Sequence, residues 1–259
     1  MQIENKIIHG DSLIELKKLE NNSIDLIVTS PPYFNVKEYA HWETYEDYLE
    51  FLKTIFEDAF NSLKEGRMCI VNLSPIIVPR KNRQDESKRL PLPFHFVNIM
   101  ETIGYKFIED IIWEKPEHTV KNRNGSFFRH RQPLAYKPNI VTEYILVFQK
   151  PMVGLLDKIL HKIPKEIKEN SLIEDGYERS NVWRINPVAK SKHPAPFPKE
   201  LSDKLIKYYS FENETVLDMF AGSGTSGISA VSQKRKFILI EKNISYIELI
   251  HQNLSKYID

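Results

Sequence analysis

Cysteine is almost missing from this sequence. Cys69 stands alone, which excludes an intrachain disulfide framework and a cysteine-rich zinc module and fits a reducing compartment. Net charge is nearly absent too: 36 Lys and Arg against 35 Asp and Glu leave +1. That balance excludes the uniform basic field of a histone-like nucleic-acid binder, so any basic surface has to be local. No apolar run approaches the roughly 18 residues that span a membrane, and Met1 to Asn5 hold no basic segment followed by an apolar one. The eight His residues lack paired ligand spacing, so no metal is expected. These absences lead to the expectation of a soluble, cytoplasmic chain, and its 259 residues suffice for one large domain or two small ones.

What is there is an alternation of short Ile- and Val-rich runs with longer stretches at helical spacing, the pattern of an α/β sheet covered by helices. Ile24 to Thr29 (IDLIVT) reads as a buried parallel strand that stops at Ser30-Pro31-Pro32. A helix is predicted from about Thr44 to Lys64, opened by a Thr44/Asp47 capping box and ended by Gly66. Strands are predicted at Met68 to Leu73, Phe107 to Trp113 and Val141 to Gln149, with a helix from Phe94 to Thr102.

The charge is segregated. Residues 80 to 92 carry net +3, with Arg80, Lys81 and Arg83 at their start, and residues 115 to 137 carry net +5, including Lys121, Arg123, Arg129 and Arg131. A charge run is usually a solvated face, and for residues 80 to 92 that reading stands beside a nucleic-acid contact. The second stretch mixes Phe127, Phe128 and Tyr136 with its cations, a composition suited to phosphates and bases.

Near the C-terminus Thr215-Val-Leu-Asp218 is followed by Gly222, Gly224 and Gly227 at G-x-G-x-x-G spacing, directly before a helix-like stretch. Glycines there permit a tight turn and close backbone approach by a ligand; Glu241, at the end of the next strand and 19 residues after Gly222, has the reach to hold both hydroxyls of a ribose. Only 18 residues follow Glu241, too few for the remaining strands of a doubly wound sheet. Those strands must come from earlier in the chain, which therefore reads as circularly permuted.

Thr29-Ser30-Pro31-Pro32-Tyr33 follows the buried strand and so belongs at the carboxyl end of the sheet, where α/β proteins bind ligands. Two prolines remove two donors and fix the backbone. The Ser30 side chain and Pro31 carbonyl then make an acceptor pair beside the Tyr33 ring, suited to a planar ring with an exocyclic amino group. The competing reading is a rigid turn packed for structure.

Ser30-Pro31-Pro32-Tyr33 together with Asp218-x-Phe220-x-Gly222-x-Gly224 resembles the amino-methylating DNA methyltransferases, and the order, SPPY first and glycine turn last, resembles their beta class. The resemblance implies a Rossmann-like α/β methyltransferase sheet with helices on both faces and S-adenosylmethionine as cofactor. It divides the chain into a catalytic half at 1–115, a target-recognition region at 116–185 and a cofactor half at 186–259. Ser30, Pro31, Pro32 and Tyr33 become the catalytic turn. His9, Asp11, His193, Phe197, Asp218, Phe220, Gly222, Gly224, Thr225 and Glu241 become cofactor residues. Arg80, Lys81, Arg83, Lys121, Arg123, Arg129 and Arg131 become DNA contacts. The implied reaction is methyl transfer to N4 of cytosine in a flipped-out base of double-stranded DNA, with N6 of adenine as the alternative. An RNA or protein methyltransferase and an NAD-dependent oxidoreductase are remoter readings. A cognate restriction endonuclease acting separately and a homodimer are further implications of the family. Cys69 sits in an apolar run and reads as core, since amino methylation needs no thiolate.

Overall fold

The computed structural model describes residues 5–34, 42–78, 82, 84, 88–120, 132–134, 136, 138–188 and 197–257. Ten strands are described: β1 Lys6–His9, β2 Ile24–Thr29, β3 Leu63–Leu73, β4 Ile76–Val78, β5 Lys88–Leu90, β6 Lys106–Glu114, β7 Thr142–Gln149, β8 Val182–Arg184, β9 Thr215–Asp218 and β10 Lys236–Glu241. The helices are α1 Ser12–Glu15, α2 Tyr45–Ser62, α3 Leu92–Ile103, α4 Asp157–Leu160, α5 Lys165–Asn170, α6 Lys199–Tyr209, α7 Thr225–Ser232 and α8 Ile244–Leu254. Among the described residues no helix is long and apolar enough to cross a membrane.

Eight strands form one sheet in the order β1-β10-β9-β2-β3-β7-β6-β8, while β4 and β5 make a separate antiparallel pair. β7 runs antiparallel to both its neighbours; the other pairings in the sheet are parallel. The sheet draws β1, β2, β3 and β6 from residues 1–115, β7 and β8 from 116–185, and β9 and β10 from 186–259. β2 is buried at all six positions, and its apolar side chains divide between two cores. Ile27 joins Leu52, Phe56 and Phe96 of α2 and α3 on one face. Leu26 and Val28 join Leu201, Leu205 and Ile250 of α6 and α8 on the other. A strand covered on both faces has no polar side to show, which is why IDLIVT is so nearly apolar.

The interruption is Asp25, whose Oδ1 accepts from Lys64 Nζ at 2.6 Å and whose Oδ2 accepts from the Thr215 backbone N–H at 3.0 Å. Arg67 continues this network with two bonds to the Glu214 carboxylate. The cluster closes the amino end of β2 and β9, opposite the ligand-binding end.

The capping box is present in full: Thr44 Oγ1 accepts from Asp47 N and Asp47 Oδ2 from Thr44 N, both at 3.0 Å. The helix stop differs from the sequence expectation. α2 ends at Ser62, Leu63 is already extended, and Gly66 lies inside β3 with φ +74 at an irregularity of the β2–β3 ladder. The helix is capped from far away: Lys150, just past β7, sends its ammonium to the Phe60 and Leu63 carbonyls, each at 2.7 Å, and to Asn22 Oδ1 at 3.0 Å.

Two neighbouring strands set the ligand position. β2 leads onward to β3 on one side, while β9 leads to β10 on the other. Where connections leave adjacent parallel strands in opposite directions, a crevice opens beyond their carboxyl ends.

Candidate active site

Ile27 pairs with Leu217, so continuing the register brings the Ser30 turn level with the turn after Asp218. Between them lies a cavity of about 680 Å³, within the range of ligand clefts. It is lined by Ser30, Pro31, Pro32 and Tyr33 from the turn after β2 and by Asp218, Phe220, Gly222, Thr225 and Glu241 from the ends of β9 and β10 and the segment between them. The two motifs are also bonded directly. Thr29 Oγ1 donates to Asp218 Oδ1 at 2.7 Å, and Asp218 further accepts from Ser226 Oγ at 2.6 Å and Phe220 N at 3.0 Å. Burial raises the Asp218 pKa, opposed by these donors.

Glu241 stands at the end of β10 with each carboxylate oxygen fixed by one backbone N–H: Gly222 to Oε2 and Asn243 to Oε1, both at 2.8 Å. Each oxygen keeps a lone pair for a further donor. Burial raises its pKa, and the N–H donors oppose the shift. Asp11 caps α1 by accepting from Leu13 N at 3.0 Å and pairs with Lys242 at 2.7 Å. Burial alone would raise its pKa; the Lys242 and Leu13 bonds outweigh that and lower it. Asp11 and Phe197 line the cavity, with Leu13, Ile240 and Tyr246 completing an apolar wall.

Two expected cofactor residues sit elsewhere. His9 is exposed, its Nε2 3.1 Å from the Lys242 carbonyl oxygen, and it does not line the cavity. Gly224 faces α8 instead: a Cβ there would come within 3.1 Å of Ile250, and φ is +80. At Gly227 an added Cβ would meet Leu239 at 2.7 Å, so this glycine lets α7 lie close on β10. Of the three glycines, it is Gly222, with φ +51, that has its backbone at the cavity. His193, Arg80, Lys81, Arg83, Lys121, Arg123, Arg129 and Arg131 lie outside the described residues.

The SPPY turn is held by neighbours that sequence reading missed. Ser30 Oγ donates to the Asn72 carbonyl at 3.3 Å, so its single proton is committed and its lone pairs remain. Tyr48 donates to the Pro32 carbonyl at 3.0 Å. The Tyr33 hydroxyl donates to Glu143 Oε2 at 3.2 Å; burial, then the Glu143 charge, raises its pKa well above that of a free tyrosine. Trp42 and Phe51 close the cavity beside Phe220, with the Phe51 and Phe220 rings 6.2 Å apart. Cys69 is fully buried, and burial pushes its thiol pKa up. The missed signal was a polar residue inside an apolar strand: Asn72 in MCIVNL and Glu143 in TEYILVFQ, both buried.

A family model described as DNA methylase matches residues 24–252. The chain is 29% identical over 252 residues to the type II beta methyltransferase M.BslI of Bacillus sp. (strain NEB-606), covering 94% of this chain and 27% of that protein. It is 29% identical over 266 residues to the type II methyltransferase M.MwoI of Methanothermobacter wolfeii, covering 96% of this chain and 34% of that protein. The chain thus spans about a third or less of the length of these two relatives. Among solved structures it is similar to TTHA0409 of Thermus thermophilus in complex with S-adenosyl-L-methionine, with 26% identity, a TM-score of 0.81 and coverage of 98% of this chain and 94% of that one.

Proposed function

The chain belongs to the DNA methylase family, and from that premise we propose that it methylates an exocyclic amino group of DNA, N4 of cytosine, with S-adenosylmethionine as donor. The observation that carries this reading is one cavity lined both by the Ser30–Tyr33 turn and by Asp218, Phe220, Gly222 and Glu241.

The residues present fit the cofactor. Glu241, braced by two N–H groups, suits a pair of ribose hydroxyls; Leu13, Ile240 and Tyr246 suit a flat purine; Asp218 and Asp11 offer acceptors to cationic groups. When bound, S-adenosylmethionine supplies a methyl group on a positively charged sulfur. The protein's own task is to hold an amine against it. A base amino group is a weak nucleophile because its lone pair is delocalised into the ring. Ser30, with its proton engaged by Asn72, accepts an amine N–H, and the Pro31 carbonyl is the second acceptor. Tyr33 offers a ring for stacking. Alignment of reacting groups lowers barriers by roughly 7 to 11 kcal/mol in favourable cases, more than the few kcal/mol needed to extract a base from a duplex. Positioning therefore suffices without covalent attachment to the base.

In the family that this chain resembles, SPPY is the more usual motif for cytosine N4 and DPPY for adenine N6, and Ser30 supports cytosine on that ground. The net +3 and +5 of residues 80–92 and 115–137 support a polyanionic substrate, and residues 116–185 serve target recognition. The type II names of the relatives support a setting beside a restriction endonuclease. The test is to incubate the chain with unmethylated duplex DNA and methyl-labelled cofactor, then digest the DNA to nucleosides. Labelled N4-methyl-2′-deoxycytidine is expected; N6-methyl-2′-deoxyadenosine as the sole product overturns the choice of base, and no labelled nucleoside overturns the reaction.

A further inference from the structure

Behind the pocket lies a carboxylate that the transfer step described above does not use. Glu143 is 9% exposed, yet three donors from three segments converge on it. Oε2 accepts from the Tyr33 hydroxyl at 3.2 Å and from Asn72 Nδ2 at 2.7 Å, and Oε1 pairs with the Lys115 ammonium. Lys115 is itself steadied 4.4 Å above the Trp113 ring. A buried ion pair is weak evidence for stability, because apolar residues of the same volume often stabilise as well. Its position points to another use. An ionised carboxylate only accepts, so it forces the Tyr33 proton and the Asn72 NH2 group towards itself. Asn72 Oδ1 is consequently left buried without a partner among the described residues, on the same residue whose backbone carbonyl accepts from the Ser30 hydroxyl.

We infer that Glu143 is a positioning residue for the target amine, fixing the Tyr33 ring through its hydroxyl, with Asn72 Nδ2 and the Lys115 ammonium holding the carboxylate in place. The inference rests on the methyltransferase reading.

The experiment uses the full chain, unmethylated plasmid DNA and tritiated S-adenosylmethionine. Cofactor affinity is measured by calorimetry and transfer by single-turnover rate for Glu143→Gln, Tyr33→Phe and the double variant. Glu143→Gln keeps the shape but loses the charge; transfer should slow at least about tenfold, the scale of a lost charge-assisted hydrogen bond, while cofactor affinity stays within about twofold. Because Glu143 acts through the Tyr33 hydroxyl, the double variant should be little slower than the slower single one. A Glu143→Gln rate near wild type, or losses that multiply, overturns the inference. If Glu143→Gln does not melt cooperatively, Lys115→Met takes its place: it should slow transfer in the Tyr33 background and not in Tyr33→Phe, and equal slowing in both overturns the inference. A wild-type chain that binds no cofactor or labels no DNA overturns the parent reading, and this one with it.

Discussion

The Thr29 hydroxyl and the Asp218 carboxylate meet at 2.7 Å, although 189 residues separate them in the chain. That bond ties the end of β2 to the end of β9 at the mouth of the crevice, so the proposed base-holding and cofactor-holding turns share one support. Asp218 carries a buried charge with three donors and no cation among its hydrogen-bond partners. Thr29→Val keeps the shape and removes one donor. It should lower unfolding stability by roughly 1–3 kcal/mol, read by urea denaturation, and weaken cofactor binding in calorimetry; stability and affinity both unchanged would remove this bond from the site.

The pH response follows from Glu241 and Asp218. Burial raises both carboxyls above the ordinary value near 4. The folded chain then holds these protons more tightly than the unfolded chain. Their stabilising contribution is therefore full below the unfolded value and is lost as pH rises through the folded one. Cofactor capture has the opposite sign, because Glu241 must be ionised to accept two hydroxyls. Affinity for S-adenosylmethionine should fall on acidification through the raised Glu241 value, and Glu241→Gln should weaken binding and flatten that limb. Calorimetry across a pH series measures both; a limb that survives the substitution belongs to another group.

Gly224 separates a packing role from a ligand role. Left-handed backbone costs a non-glycine residue roughly 1–2 kcal/mol, and a Cβ would press on Ile250 at 3.1 Å. Gly224→Ala should lower the melting temperature, while the folded protein binds cofactor nearly as wild type does. A large loss of affinity without loss of stability would return Gly224 to the cavity.

Much of this was legible in local sequence. The boundaries of β2 follow from an apolar run ended by Pro31, the start of α2 from Thr44 and Asp47 three residues apart, and the glycine turn from spacing between a strand and a helix. What sequence could not supply are contacts whose partners are distant along the chain. Glu143 is 110 residues from Tyr33 and 71 from Asn72, and no periodicity encodes that meeting. The end of α2 was misread for the same reason: Gly66 is a local stop signal, but the Lys150 ammonium, 87 residues beyond Leu63, takes the carbonyls first.

That cap is itself testable. Lys150→Met retains an apolar stem over the Phe60 ring, where the ammonium now sits 4.7 Å from the centroid, and strands the Phe60 and Leu63 carbonyls. A loss of roughly 1–3 kcal/mol is expected in urea unfolding, with transfer activity of the folded chain retained. A change within about 0.5 kcal/mol, as for an ordinary surface substitution, would show that the cap is dispensable.

The most direct measurement is a crystal structure of the chain soaked with S-adenosylmethionine. The expected density has the ribose hydroxyls on Glu241 and the sulfonium methyl directed across the crevice at Ser30 and Tyr33. Cofactor bound away from Glu241, or with its methyl turned from the Ser30 turn, would contradict the claim that the two ends of the chain build one reaction site.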